Sequence, residues 1–189
     1  VATPLKVIKK ARISSFDKVG VIGAGGGLGI HMLKMLKLNN ISTIGIDTKT
    51  EKFDVCNENG AEFSVSPMEN DLNNKITDYT QGNNLDVVID FVSSKSSLEL
   101  GVSILGKGGR LVTLGGSGEQ FLANSADMLV KELELIGSRY CTKQELKESL
   151  DLYARGLIKP LVSHKTDFNG AEELHNKIET GDITGRAGI

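Results

Sequence analysis

Cysteine is scarce: the 189 residues hold two, Cys56 and Cys141, far apart and in no C-x-x-C pair. That excludes a disulfide framework and a paired-cysteine zinc clip, and it fits a reducing, cytoplasmic setting. An excess of one charge is also lacking. Lys and Arg number 22 and Asp and Glu 24, a net charge of −2. With no basic tract and no interleaving of basic and aromatic residues, neither nucleic acid nor an anionic membrane surface is an expected partner. No apolar run approaches the ~20 residues that a bilayer span needs, and there is no signal-peptide core. The usual catalytic groupings are absent too. His31, His164 and His175 are scattered without an H-x-x-x-H, so each reads as a surface or satisfied core histidine. Ser117, in GGSGE, lacks the G-x-S-x-G context of a nucleophile elbow. Asp90 has no partner carboxylate and reads as a structural acid. From these residues no catalytic group and no metal site is expected.

What the chain does have is alternation. Strand-length apolar runs at 18–24, 42–47, 62–66, 85–92, 110–116 and 132–140 are separated by helical periods at 28–38, 49–60, 72–82, 94–109 and 143–156. A short apolar run follows Pro160, then a helix at 169–180 and a glycine-containing tail. The run LDVVIDFV at 85–92 is apolar on both alternating faces, as a strand covered on both sides must be. Alternating strands and helices imply crossover connections and hence parallel pairing. The expected architecture is α/β: a Rossmann doubly wound parallel sheet of about six strands with helices on both faces.

The stretch GVIGAGGGLGIHML at 20–33 places Gly23, Gly25, Gly26, Gly27 and Gly29 between the first strand and its helix. Glycines there permit positive φ and remove Cβ atoms that would block a diphosphate, and the helix start offers free N–H groups to anions. The strict hexamer G-x-G-x-x-G does not fit; Gly23-x-x-Gly26-x-x-Gly29, one residue longer, does. A flexible turn or a tight helix–strand contact would need the same glycines. Asp47 closes the second strand 18 residues after Gly29, near the spacing at which a carboxylate binds the adenosine ribose. A capping Asp would look the same. On the ribose reading, a 2′-phosphate beside Asp47 would cost about 4 kcal/mol per unit charge, which favours NAD(H) over NADP(H).

Longer blocks carry a resemblance. GAGGGLG, GIDTKTEKFDVCNENGAEFSVS, LDVVIDFVSSKSSLELGVSILGKGGRLVTLGG and KELELIGSRYCTKQELKESLDLYARGLIKPLVSHK, closed by GDITGRAGI, resemble in order and spacing the zinc-dependent alcohol dehydrogenases of the medium-chain dehydrogenase/reductase superfamily. The longer glycine loop is more like that of quinone-reductase relatives and some microbial alcohol dehydrogenases. The resemblance implies a cofactor-binding domain, with Gly23, Gly26 and Gly29 in the diphosphate loop and Leu28 at the head of its helix. It assigns Asp47 and Lys52 to the ribose, Arg186 to the diphosphate, and Phe91, Val92, Leu114 and Gly115 to the nicotinamide half. Without it, Lys52 reads as a solvated helix residue and Arg186 as an exposed tail charge.

The resemblance further implies that residues 1–15 link to a catalytic domain that holds the zinc outside this chain, and that residues 16–189 form the NAD-binding domain. The opening, without an initiator methionine, reads like the middle of something. The chain is then expected to be inactive alone and, within the whole enzyme, to serve hydride transfer between an alcohol or carbonyl and NAD. Pairing into a homodimer or homotetramer through the strand in LELIGS, 133–138, is expected. The alternatives from other classes are a non-catalytic nucleotide-sensing module and a methyltransferase, which would ordinarily close on an antiparallel hairpin.

Overall fold

The computed structural model describes residues 1–189. Eight helices and eight strands follow in order: α1 Ala2–Lys10, β1 Lys18–Ile22, α2 Gly29–Leu38, β2 Ser42–Ile46, α3 Phe53–Glu58, β3 Ser64–Val65, α4 Leu72–Tyr79, β4 Leu85–Asp90, α5 Lys95–Ser103, β5 Leu105–Thr113, α6 Ser125–Lys131, β6 Glu134–Gly137, α7 Lys143–Ala154, β7 Val162–Lys165, α8 Ala171–Glu179 and β8 Arg186–Gly188. Six strands form one parallel sheet in the order β3-β2-β1-β4-β5-β6. The order reverses between β1 and β4, and the crevice at the carboxyl ends of those strands is where such a sheet binds ligands.

Strand alternation sorts the core into two layers. Val19 and Val21 of β1, Val87 and Ile89 of β4 and Val112 of β5 face Val7 of α1, Ala11 just beyond it, and Ile30 and Leu33 of α2. Ile22, Ile44, Ile46, Val88 and Leu111 face the other way, onto Leu72 and Ile76 of α4 and Leu98 of α5. A buried aliphatic side chain contributes about 1.5–3 kcal/mol, so this two-sided burial holds the sheet in the middle of the molecule. Helix α1 packs on α2 and α7 and is part of this core. Arg110 ties the segment after α1 to the sheet: it donates to the Ala11 carbonyl at 2.6 Å and pairs with Asp17.

Three boundaries differ from the sequence reading. The helix expected over 94–109 ends at Ser103, and residues 105–109 open β5, which bulges where it first meets β4. Gly108 and Gly109 therefore serve a strand and not a helix stop. Helix α6 was not expected; it starts from an Asn124 cap and buries none of its residues. The apolar run after Pro160 and the glycine tail pair as β7 and β8, a separate two-stranded parallel ribbon. Strand β6 forms one edge of the main sheet, with Leu135 exposed on it.

Candidate functional site

The loop from β1 to α2 lies at the switch point. Gly23 has φ +75°, a left-handed conformation that a side chain would strain, and its carbonyl accepts from the Gly26 N–H at 3.1 Å. Three of the other glycines answer to the protein's own atoms. A Cβ on Gly29 would lie 2.1 Å from the Gly23 carbonyl oxygen, one on Gly25 2.5 Å from Lys52 Cδ, and one on Gly27 2.8 Å from Arg186 Nε. Gly26 would meet only the Gly23 oxygen, at 3.2 Å. Clearance for a ligand is thus the direct reason for fewer of these glycines than the sequence suggests. Packing of loop, helix and the Arg186 strand explains the rest.

The same turn leaves the N–H groups of Gly27, Leu28 and Gly29 without a partner in the protein, and the first turn of α2 carries no acidic residue and no side-chain cap. Free N–H groups at the positive end of a helix form an anion site. Arg186, at the start of β8, lies against Gly27 and supplies a guanidinium beside it.

Asp47 follows β2 directly. Its Oδ2 accepts from the Gly25 N–H at 2.8 Å and its Oδ1 from the Lys49 N–H at 3.0 Å. A carboxylate has about four acceptor positions, so both oxygens keep capacity for hydroxyl groups. Lys52 is not the solvated residue that its helical setting suggests. It is 5% exposed, its stem lies against Gly25, and Nζ donates to the carbonyls of Gly181 and Ile183. One of its three N–H donors remains.

These side chains share one groove of about 510 Å³. Gly23, Gly26, Gly27, Leu28, Gly29, Asp47, Lys52, Phe91, Val92 and Arg186 all line it. Gly25 does not; it acts through its bond to Asp47. Leu114 and Gly115 line an adjoining depression of about 310 Å³, which Leu28 shares. Both walls of the nicotinamide half expected from the resemblance are held by one acid. Asp90, fully buried, accepts from the N–H groups of Val92 and Ser93 and from the Ser97 hydroxyl. Ser93 Oγ in turn accepts from the Gly115 N–H at 2.8 Å, joining the ends of β4 and β5.

Sequence reasoning missed several lining groups. Thr48 and Lys49 follow Asp47 and could have been found from that adjacency. Glu179, Thr180 and Gly181, at the end of α8, have no local signal, because only the tertiary fold brings them to the groove. Ser138, in the second depression, is also new. Its Oγ is the buried side-chain polar atom that has no partner, an acceptor and donor turned toward nothing in the protein. No three His, Cys, Asp or Glu side chains lie together so as to hold a metal ion.

A family described as zinc-binding dehydrogenase matches residues 27–155, well over half of the chain. The chain belongs to the zinc-binding dehydrogenase family. Its curated relatives include an NAD-dependent alcohol dehydrogenase of Sulfurisphaera tokodaii, 27% identical over 185 residues, covering 97% of this chain and 53% of that protein. Alcohol dehydrogenase 1 of Neurospora crassa is 30% identical over 188 residues, with 97% and 53% covered. Among solved structures, the alcohol dehydrogenase of Aeropyrum pernix superposes with a TM-score of 0.89 at 27% identity, over 98% of this chain and 54% of that one. The acetophenone reductase of Geotrichum candidum, in complex with NAD, superposes with a TM-score of 0.84 at 28% identity, over 99% and 52%. This zinc-binding dehydrogenase chain therefore spans about half the length of the relatives it matches.

Proposed function

We propose that this chain is the NAD(H)-binding domain of an alcohol or polyol dehydrogenase, serving hydride transfer between an alcohol and NAD. One observation carries the reading: a single groove holds three free N–H groups and Arg186 for phosphate and, one strand along, a preorganised Asp47 for a ribose. That donor set fits a dinucleotide. Gly27, Leu28, Gly29 and Arg186 would hold the diphosphate, and Asp47, with the remaining Lys52 donor, the adenosine ribose. Phe91, Val92, Leu114 and Gly115 would wall the nicotinamide half, where the orphaned Ser138 hydroxyl can satisfy a polar group. When bound, the cofactor supplies a hydride acceptor or donor; the chain's own part is to fix its position and exclude water from one face.

The residues of this chain do not fit a zinc ion, and the reading puts the metal, with the rest of the alcohol or carbonyl site, outside it. Helix α1 is then the connection to that part, although it packs into the present core. The exposed edge β6 supports pairing with a second copy, edge to edge, into a dimer or tetramer. Two unpaired cysteines support a cytoplasmic location, and no helix is long and apolar enough to cross a membrane.

Titration of the 189-residue chain with NADH, followed by nicotinamide fluorescence and by calorimetry, tests the reading. Saturable one-site binding that weakens at least tenfold in Arg186→Ala, with no turnover of alcohols by the chain alone, is the expected result; tenfold is about 1.4 kcal/mol. Absence of saturable binding, or binding indifferent to Arg186, would overturn it.

A further inference from the structure

His31 lies in the first turns of α2, directly beneath the glycine loop, and is 3% exposed. Both of its ring nitrogens are engaged. Nε2 lies 3.1 Å from the Leu161 backbone nitrogen, which has a hydrogen to give and no lone pair to receive one, so Nε2 is the acceptor. The ring proton must then be on Nδ1, which lies 2.7 Å from the Gly27 carbonyl oxygen and donates to it. The geometry alone fixes the tautomer.

Each bond reaches one wall of the phosphate site. In a trans peptide the C=O and the following N–H point in opposite directions. Drawing the Gly27 carbonyl back onto His31 therefore turns the Leu28 N–H outward, where it has no protein partner. On the other side, Leu161 uses its carbonyl to accept from the Arg186 N–H at 2.9 Å. The ribbon start that carries Arg186 is thereby tied through Leu161 to the same imidazole. A second strut, the Gly185 N–H donating to the Gly25 carbonyl at 3.1 Å, runs parallel to it.

We infer that His31 is a positioning residue of the dinucleotide site: a neutral, Nδ1-protonated imidazole that aims the Leu28 N–H and the Arg186 guanidinium at one phosphate. The inference rests on the dinucleotide reading above and assigns His31 no contact with the ligand. Burial, the largest influence, holds the ring's pKa below the ordinary histidine range, and the nearby positive charges of Arg186 and Lys34 act in the same direction. The bond to Gly27 acts against them. The balance keeps the neutral form in place at neutral pH.

The test compares wild type, His31→Asn and His31→Leu in the 189-residue chain. NADH and phosphate-free adenosine are titrated against each, and long-range 1H–15N correlation spectra of wild type assign the imidazole proton. Asn retains a donor near the Nδ1 position and gives up the bond from Leu161; Leu gives up both bonds. NADH affinity is expected to fall about tenfold in His31→Leu, a change of about 1.4 kcal/mol, and less in His31→Asn. Adenosine affinity should be unchanged in both, because Asp47 and the ribose end do not depend on the ring. Failure of wild type to bind NADH would remove the dinucleotide reading itself. Wild-type binding with an unchanged NADH affinity in a folded His31→Leu, equal losses for NADH and adenosine, or a proton found on Nε2 would each overturn the inference alone. Should His31→Leu not fold, His31→Asn and the wild-type tautomer still decide it.

Discussion

Asp47→Asn changes one charge at almost constant shape, and its effect on cofactor choice follows from the surroundings of the carboxylate. In wild type Lys49 pairs with Asp182 at 3.3 Å, and Lys52 spends two of its three donors on the Gly181 and Ile183 carbonyls. The Lys52 ammonium keeps its charge and one donor, so it offsets part of what Asp47 does to a 2′-phosphate. At a separation of ~4 Å and an effective dielectric near 20, each unit of phosphate charge meets about 4 kcal/mol of repulsion from Asp47, which sets an upper bound of about a thousandfold on the preference for NADH. The amide abolishes that repulsion. It also replaces charge-assisted ribose bonds with neutral ones, a loss of about 1–1.5 kcal/mol, so NADH should bind roughly tenfold more weakly while NADPH binds more tightly. One side of the amide must face an N–H that the carboxylate accepted, from Gly25 or from Lys49, so the loop loses a bond as well. That structural cost falls on both cofactors and cancels in their ratio. The quantity to measure is therefore the ratio of NADPH to NADH dissociation constants, by fluorescence titration of each protein at fixed ionic strength. A fall of at least tenfold, from a wild-type ratio between about a hundred and about a thousand, is expected. A ratio that stays within threefold of wild type, or a wild type without preference, would refute the placement of the ribose at Asp47.

Three further perturbations probe the scaffold. Gly29→Ala would put a Cβ 2.1 Å from the Gly23 oxygen and 2.5 Å from that of Ala24; a loss of about 3 kcal/mol in urea unfolding is expected, where an ordinary surface change costs far less. Lys52→Met keeps the stem against Gly25 but removes the ammonium that holds the Gly181 and Ile183 carbonyls, and should cost about 2–3 kcal/mol in the same assay. Cys56 is fully buried, and its thiol is pushed up to about 11, first by burial and then by the charge of Asp47. At pH 8 the folded protein should react with a thiol reagent at Cys141 long before Cys56, the order being read by peptide mass mapping; equal rates would contradict the packing.

Much of this molecule was readable from its residues because burial imposes a period. The runs around Val19, Ile44, Val88 and Leu111 alternate between two cores, and that alternation yields the six-stranded parallel sheet. Where burial is absent, so is the signal. Helix α6 buries none of its residues, and strands β7 and β8 bury none of theirs fully either. The glycines misled differently: Gly108 and Gly109 look like a helix stop but sit in the first, irregular part of β5. At the site, Asp47 and the loop were legible from spacing. The buried role of Lys52 was not, because its partners lie 129 and 131 residues away. The role of His31 could have been suspected, since Gly27 and His31 are four apart, the spacing that brings a side chain under a carbonyl of the preceding turn.

The ribbon carrying Arg186 lies far along the chain from the loop it faces, with five of the six strands of the main sheet between them. During synthesis the glycine turn leaves the ribosome with its amides exposed and stays half a binding site until that ribbon has followed it. Contacts of such long range form late. On the dinucleotide reading, ligand capture by this groove is consequently an acceptance test that a molecule without the docked ribbon fails, so NADH retention on an affinity resin would separate molecules that have closed the site from those that have not.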